Sequence, residues 1–286
     1  MIGFYQFQRI YPDDLACLNQ IMTSRYGGTS LDCPKCGIYS KFYPMTKERG
    51  YICQHCGHHL HPCVGTPMEG SRTPLQKWFF AMYLFANSRS GVSAKELERH
   101  LGVTYKCAWR IGHKIREYMA EVDKEHPLDG DVEADETYIG GKKAGGPRGR
   151  GADGKTVVFG MAERDGDIMA KVVPNVKKRT LLPLIADNVI PGSTVHTDEL
   201  RSYKGLDKLG LNFKHKTVNH GAGEYSRDDS HVNTLEGFWA RLKLSIRGTH
   251  VHVSGKYLER YVKEFEYRYN RRREPHLIFV DLIANL

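Results

Sequence analysis

The chain has 286 residues, with 42 Lys+Arg against 33 Asp+Glu, a formal net charge of +9 and a pI near 9.1. That length buries one sizeable core with room for smaller modules, and 40 % hydrophobic residues exclude a wholly disordered chain. The basic balance favours an anionic partner, and its distribution narrows the choice: Trp239 to Arg273 holds ten Lys+Arg against three Glu, a surplus that suits a phosphate backbone.

The opening MIGFYQFQRIYPDD lacks the charged and apolar regions of a signal peptide, and residues 1–30 read as a helical segment. Seven cysteines in a cytoplasmic protein do not read as a disulfide framework. Four of them stand in C-P-K-C-G (Cys33, Cys36) and C-Q-H-C-G (Cys53, Cys56), with sixteen residues between the pairs. Two such knuckles offer four thiolates to one tetrahedral zinc, so 31–64 reads as a zinc ribbon with short hairpin strands. His55, His58, His59, His61 and Cys63 are expected to be bystanders. The longest apolar run, Trp78 to Ala86, has nine residues against the ~20 needed to cross a bilayer, and reads as a buried helix.

Residues 72–125 read as a helical region. Ser93 and Glu96 form a capping box, Gly102 ends that helix, and Thr104 caps a second one running to Met119. Helix, short turn and helix make a helix-turn-helix pattern, with Lys106, Arg110 and Lys114 on one side for a major groove. An ordinary helical hairpin is the alternative.

From residue 130 the texture alternates. Strands are predicted at Asp131–Ile139, Thr156–Ala162, Ile168–Val173, Thr194–Thr197 and Phe213–Val218. Asp165-Gly166 marks a turn between the second and third. A helix is predicted over Arg179–Asn188 with Pro183 in its first turn, and another after Ser202. Lys142–Lys155 is a glycine-rich basic loop. A helix opens at HVNTLEGFWARLK, and a last one starts from Ser254. Residues 274–286 read as a tail.

Within the first strand Glu133 and Asp135 share a face, while Glu136 points oppositely. Asp198 ends a short strand in V-H-T-D-E. On the later helix Leu235, Phe238, Trp239, Leu242 and Ile246 make an apolar stripe, while Asn233, Glu236, Ala240 and Lys243 share a second face. Carboxylates from two strands and a helix are suited to hold two divalent cations ~3.5–4 Å apart, and hard oxygen donors select Mg²⁺ or Mn²⁺. Each has a plainer reading as well. Asp135 suits a solvated strand, Asp198 a cap, and Asn233 with Glu236 another capping box.

Taken together, D-E-T-Y-I-G-G-K around Asp135, H-T-D-E around Asp198, H-V-N-T-L-E-G-F-W-A-R-L-K and the terminal R-Y-V-K-E-F-E-Y-R-Y-N-R-R resemble bacterial insertion-sequence transposases. They are similar to the group in which a zinc ribbon precedes a DDE domain of the RNase H-like superfamily. The resemblance implies an α/β (α+β) mixed sheet with flanking helices over 130–273, following the ribbon and the helix-turn-helix region. It implies Asp135 and Asp198 as catalytic metal ligands. The third is either Glu236, seven residues before Lys243, or Asn233; Glu236 is favoured because a carboxylate binds Mg²⁺ better than an amide. The implied cofactors are two Mg (or Mn) ions in the active site and one structural Zn. The implied partners are transposon ends and target DNA, bound by a homo-oligomer, with Lys142, Lys143, Arg148, Arg150, Arg241 and Lys243 on backbone phosphates. The implied activity is cleavage at the element's terminal inverted repeats and strand transfer. A catalytically silent DNA-binding regulator and a stand-alone nuclease are the alternatives.

Overall fold

The computed structural model describes residues 2–124, 126–140, 154–217 and 232–286, which divide into two compact units. One comprises Met1–Val122 with Arg273–Leu286, the other Asp123–Arg272. Among the described residues, no helix is long and apolar enough to cross a membrane.

The first unit begins with α1 (Phe4–Ile10) and α2 (Asp14–Tyr26), the latter capped by Asp13, which accepts from Ala16 N at 2.8 Å. Four short antiparallel strands follow: β1 (Ser30–Asp32), β2 (Tyr39–Pro44), β3 (Tyr51–Cys53) and β4 (His59–Leu60), paired in that order. The apolar run becomes α3 (Leu75–Asn87), buried through Trp78, Phe79, Met82 and Phe85. The two helices of the helix-turn-helix pattern are α4 (Ala94–Leu101) and α5 (Tyr105–Asp123). Ser93 caps α4 by accepting from Glu96 N, and Gly102 takes the left-handed φ of 56° that ends it. Lys106 and Arg110 on α5 are exposed and Lys114 is half-buried.

Residues 274–286, read from sequence as a tail, instead fold as a 3-10 turn and α9 (Ile278–Ala284). Ile278, Phe279, Leu282 and Ile283 are buried, and the Phe279 ring lies 5.8 Å from Phe7 and 5.9 Å from Tyr83. Their spacing is an amphipathic stripe too short to stand out by periodicity but long enough to close an aromatic cluster.

The second unit is a five-stranded mixed sheet in the order β7-β6-β5-β8-β9: β5 (Asp131–Ile139), β6 (Thr156–Glu163), β7 (Ile168–Val173), β8 (Thr194–Thr197) and β9 (Lys214–Thr217). The pairs β5–β6 and β6–β7 are antiparallel, and β5–β8 and β8–β9 parallel. One face packs Val132, Ala134, Phe159 and Val195 against α6 (Lys178–Asn188) and Tyr203; the other packs Val158, Ala162 and Ala170 against α7 (Asn233–Ser245) and α8 (Gly255–Asn270). The unit is thus a mixed sheet with helices flanking both faces.

Three predicted elements differ. Pro183 stands at the sixth position of α6, past the first turn, and removes a helical bond there. Two 3-10 turns, Arg201–Tyr203 and Leu206–Lys208, replace the helix expected after Ser202, because Gly205 sits between them at φ 91°. The last strand is Lys214–Thr217, and Val218 lies outside the described residues.

The terminal motif gains a physical meaning here. The outer N–H groups of edge strand β7 are accepted by side chains of α8: Val172 N by Glu259 at 2.6 Å, Ala170 N by Glu266 at 2.7 Å and Ile168 N by Asn270 at 2.8 Å. An edge otherwise open to another strand is thereby closed.

Candidate active site and metal centre

The four ribbon cysteines converge, every sulfur within 4.8 Å of the others and Cys33 Sγ 3.7 Å from Cys56 Sγ. Tetrahedral zinc with bonds of ~2.3 Å sets sulfurs ~3.8 Å apart, so the donor set fits that ion. Each knuckle closes on itself. Gly37 N donates to Cys33 O at 2.8 Å and Gly57 N to Cys53 O at 3.0 Å, with both glycines near φ 70°. His55, His58 and Cys63 take no part in the cluster.

In the second unit, β5 and β8 run parallel with Ala134 opposite Thr197, so Asp135 and Asp198 each stand one residue beyond that last pair. Neighbouring parallel strands therefore bring the two carboxylates to one level of the sheet. Lateral bonds hold that level: buried His196 of β8 bonds Asp131 of β5 through Nε2 at 2.7 Å, and Thr197 Oγ1 lies 2.9 Å from His215 Nε2 on β9. Burial keeps His196 below the ordinary imidazole range.

Asp135 accepts from Trp239 Nε1 at 3.0 Å. Burial first, then the charges of Glu136 and Asp198, push its carboxyl up to about 7. Trp239 reaches it over Gly160 of β6, the residue paired with Asp135, where a Cβ would stand 2.7 Å from the indole. Asp198 is buried and also serves the turn after β8, accepting from Leu200 N at 2.9 Å. Glu136, on the opposite face as expected, accepts from Tyr203 Oη at 2.8 Å.

Helix α7 begins at Asn233, with Val232 as its cap residue and no side-chain cap from its own segment. The Asn233–Glu236 capping box is therefore not formed. Its place is taken by Glu133, 0 % exposed, which accepts from Thr234 N at 2.9 Å, Leu235 N at 3.2 Å and Thr234 Oγ1 at 2.9 Å. A carboxylate at a helix N-terminus satisfies orphan amides and the helix dipole together. Strand β5 thus grips α7 twice, through Glu133 and, two residues on, Asp135.

Asn233 and Glu236 are exposed at this end of α7 and engage no described side chain. Glu236 does not join Asp135 and Asp198 in a ligand cluster among the described residues. Lys243, one turn past Trp239, is half-buried; burial lowers its ammonium, Asp135 opposes that, and Arg247 and Lys155 add to it. Lys243 therefore lies within electrostatic reach of Asp135, and Arg247 and Lys155 within reach of Lys243. Arg241 is exposed. Lys142, Lys143, Arg148 and Arg150 lie outside the described residues. Sequence reasoning missed Glu133 as the cap, Gly160 and Arg247; alternation placed Glu133 beside Asp135, but nothing local named its partner.

Residues 127–270 match the ISXO2-like transposase domain, and residues 12–59 the transposase zinc-ribbon domain. A protein of the transposable element ISH50 from Halobacterium salinarum is 33 % identical over 264 residues, covering 85 % of this chain and 86 % of its own. A transposase-like protein of Haemophilus influenzae is 36 % identical over 99 residues, 35 % of this chain and 77 % of that one. A solved pre-cleavage Mos1 transpososome is similar at 12 % identity and a TM-score of 0.31, over 72 % of this chain and 78 % of that one, too loosely to align residues.

Proposed function

This chain belongs to the ISXO2-like transposase family, and from that premise we propose that it binds the terminal inverted repeats of its own element and catalyses divalent-metal-dependent strand cleavage and strand transfer there. The observation that carries the reading is the pairing of Asp135 and Asp198 at one level of adjacent parallel strands, with Lys243 within electrostatic reach of Asp135. The Asp135 carboxyl, raised to about 7 by burial and then by the charges of Glu136 and Asp198, favours a metal-binding role over a silent regulator.

Bound Mg²⁺ would supply a Lewis acid and an activated water or 3′-hydroxyl. Asp135 and Asp198 would be its oxygen donors; Asp135 would have to give up its proton to serve, so metal affinity would rise with pH towards neutrality. We assign Glu236 as the third donor, with Asn233 three positions upstream on the same exposed face as the competing choice. Trp239 fixes the Asp135 carboxylate by its N–H. Lys243, in reach of Asp135, would offset the charge of the scissile phosphate, with Lys155 and Arg247 adding to the local positive field. Zinc in the Cys33, Cys36, Cys53 and Cys56 set holds the ribbon, which with Lys106 and Arg110 of α5 recognises the element's ends. Pairing two ends requires at least two protomers, and the setting is the bacterial cytoplasm.

The test is Mg²⁺-dependent cleavage and joining of a labelled duplex carrying the element's terminal repeats. Asp198→Ala and Glu236→Gln should lose at least about a thousandfold, the several kcal/mol expected of a metal ligand, while Asn233→Ala should retain activity. The reverse result for the last two variants would transfer the third role to Asn233. Tight binding without cleavage under every divalent metal would leave a DNA-binding regulator.

A further inference from the structure

Outside the four cysteines, the described residues hold a second convergent donor set. Glu48 in the β2–β3 turn, His59 on β4 and His61 just beyond it bring one carboxylate oxygen and two imidazole nitrogens within 4.8 Å of one another. We propose that this is a second metal site on the ribbon, open to solvent, which takes one late first-row divalent cation, Zn²⁺ above all.

Several independent features build it. His59 and His61 are two apart along extended backbone, so their rings emerge on one face; the centroids are 6.3 Å apart. The turn that brings Glu48 is fixed rather than loose. Met45 N donates to Gly50 O at 2.9 Å, and the adjacent Arg49 is anchored on Ser71 O at 2.7 Å and Thr73 O at 2.8 Å. Turn and histidine also meet too closely for any other residue at position 50: a Cβ on Gly50 would stand 2.8 Å from His61 Nδ1 and 2.9 Å from Leu60 O. Among the described residues, none of the three side chains hydrogen-bonds or ion-pairs with another of the set. Their donor atoms nevertheless lie within 4.8 Å of one another, a spacing that one shared ion can span.

The donor chemistry selects the ion. Neutral imidazole and carboxylate together suit Zn²⁺, Ni²⁺, Co²⁺ and Cu²⁺ and discriminate against Mg²⁺ and Ca²⁺, which prefer all-oxygen sites. Three protein ligands leave a fourth position for water, in contrast to the closed cysteine set. The three side chains are exposed, so this ion exchanges freely where the thiolate-bound one does not. Its effect is to tie the β2–β3 turn to β4. The inference does not depend on the transposase reading.

The experiment counts Co²⁺ bound by the full chain after removal of native metal, with Asp135→Asn and Asp198→Asn in every chain compared so that the carboxylate pair takes no ion, and with the ribbon of wild-type sequence as the reference. That reference should take two equivalents, one producing the thiolate-to-cobalt charge-transfer band and one without it. The double variant His59→Ala/His61→Ala should take one, with the band intact as proof that the ribbon is folded. Should that variant lose the band, Glu48→Gln, which disturbs no ring, decides by the same count. A single equivalent in the reference, or two in a variant that keeps the band, overturns the proposal.

Discussion

The ribbon and the carboxylate site solve the problem of gathering charged ligands in opposite ways. The ribbon draws its four sulfurs from Cys33 to Cys56, and each knuckle is closed by amides from its own few residues. The carboxylate site joins Asp135 to Asp198 through strand register, and reaches α7, about a hundred positions on, through Glu133 and Trp239. A local site takes its structure from its metal. A distributed site takes its structure from the sheet, and its functional groups are held there against their own repulsion.

The sharpest way to break that contrast is Cys56→Ser. Structural zinc sites carry on the order of 10 kcal/mol of apparent binding free energy, comparable to the stability of a whole domain. The variant should lose the cysteine-bound zinc and become protease-sensitive across Ser30–Leu60, while the Asp123–Arg272 unit stays resistant. A ribbon that kept its resistance without the ion would show that its strands and α2 suffice, and the contrast would fail.

Glu133 tests the other side. Glu133→Ala leaves the Thr234 and Leu235 amides without their acceptor in a buried place, an expected cost of ~2–4 kcal/mol and a fall in cleavage rate of roughly 10–100-fold, since α7 loses its first anchor. Glu133→Gln keeps an acceptor oxygen for the two amides but loses the charge that faces both the helix end and Arg164, 3.6 Å away, a smaller cost of about 1–2 kcal/mol. Rescue of the rate by Gln but not Ala marks a positioning role, measured as kcat at saturating Mg²⁺ beside the melting temperature. If Ala changed neither quantity, register alone would place α7.

The same contrast explains what was legible in the sequence. The ribbon could be read outright, because two C-x-x-C pairs with following glycines state ligand, spacing and turn in one short span. Strand alternation gave β5 and β7 to the residue, and with β5 the faces of Glu133, Asp135 and Glu136. What alternation cannot carry is partnership across the chain. Glu133 looked like one more acidic strand residue because its partners, Thr234 and Leu235, lie a hundred positions away. The Asn233–Glu236 pattern looked like a cap, and another carboxylate had already taken that work. Gly160 gave no signal until Trp239 was seen to occupy its missing side chain's space. The helix within 274–286 was overlooked because seven residues are too few for periodicity to be read, although its four apolar positions are spaced for one face.

The smallest effect is the most discriminating. Asp135 has a raised carboxyl, about 7 against 3.8 when unperturbed, caused by burial and then by Glu136 and Asp198. Between those values the folded state keeps a proton that the unfolded state has released, so metal-free stability falls as pH rises from about 4 to about 7 and then levels. Asp135→Asn removes the charge and keeps an acceptor for Trp239. It should therefore melt several degrees above metal-free wild type at pH 8 and at nearly the same temperature at pH 4, on the order of a few kcal/mol at most, while losing cleavage. Glu266, pushed up to about 7 by burial, gives a slope of the same sign, so the variant keeps part of the pH dependence. Adding Mg²⁺ should flatten the slope in wild type more than in the variant, because only wild type has the second carboxylate to neutralise. A variant less stable than wild type at pH 8 would mean that the bond from Trp239 outweighs the repulsion, and that Asp135 is held by the fold in comfort rather than kept ready for a cation.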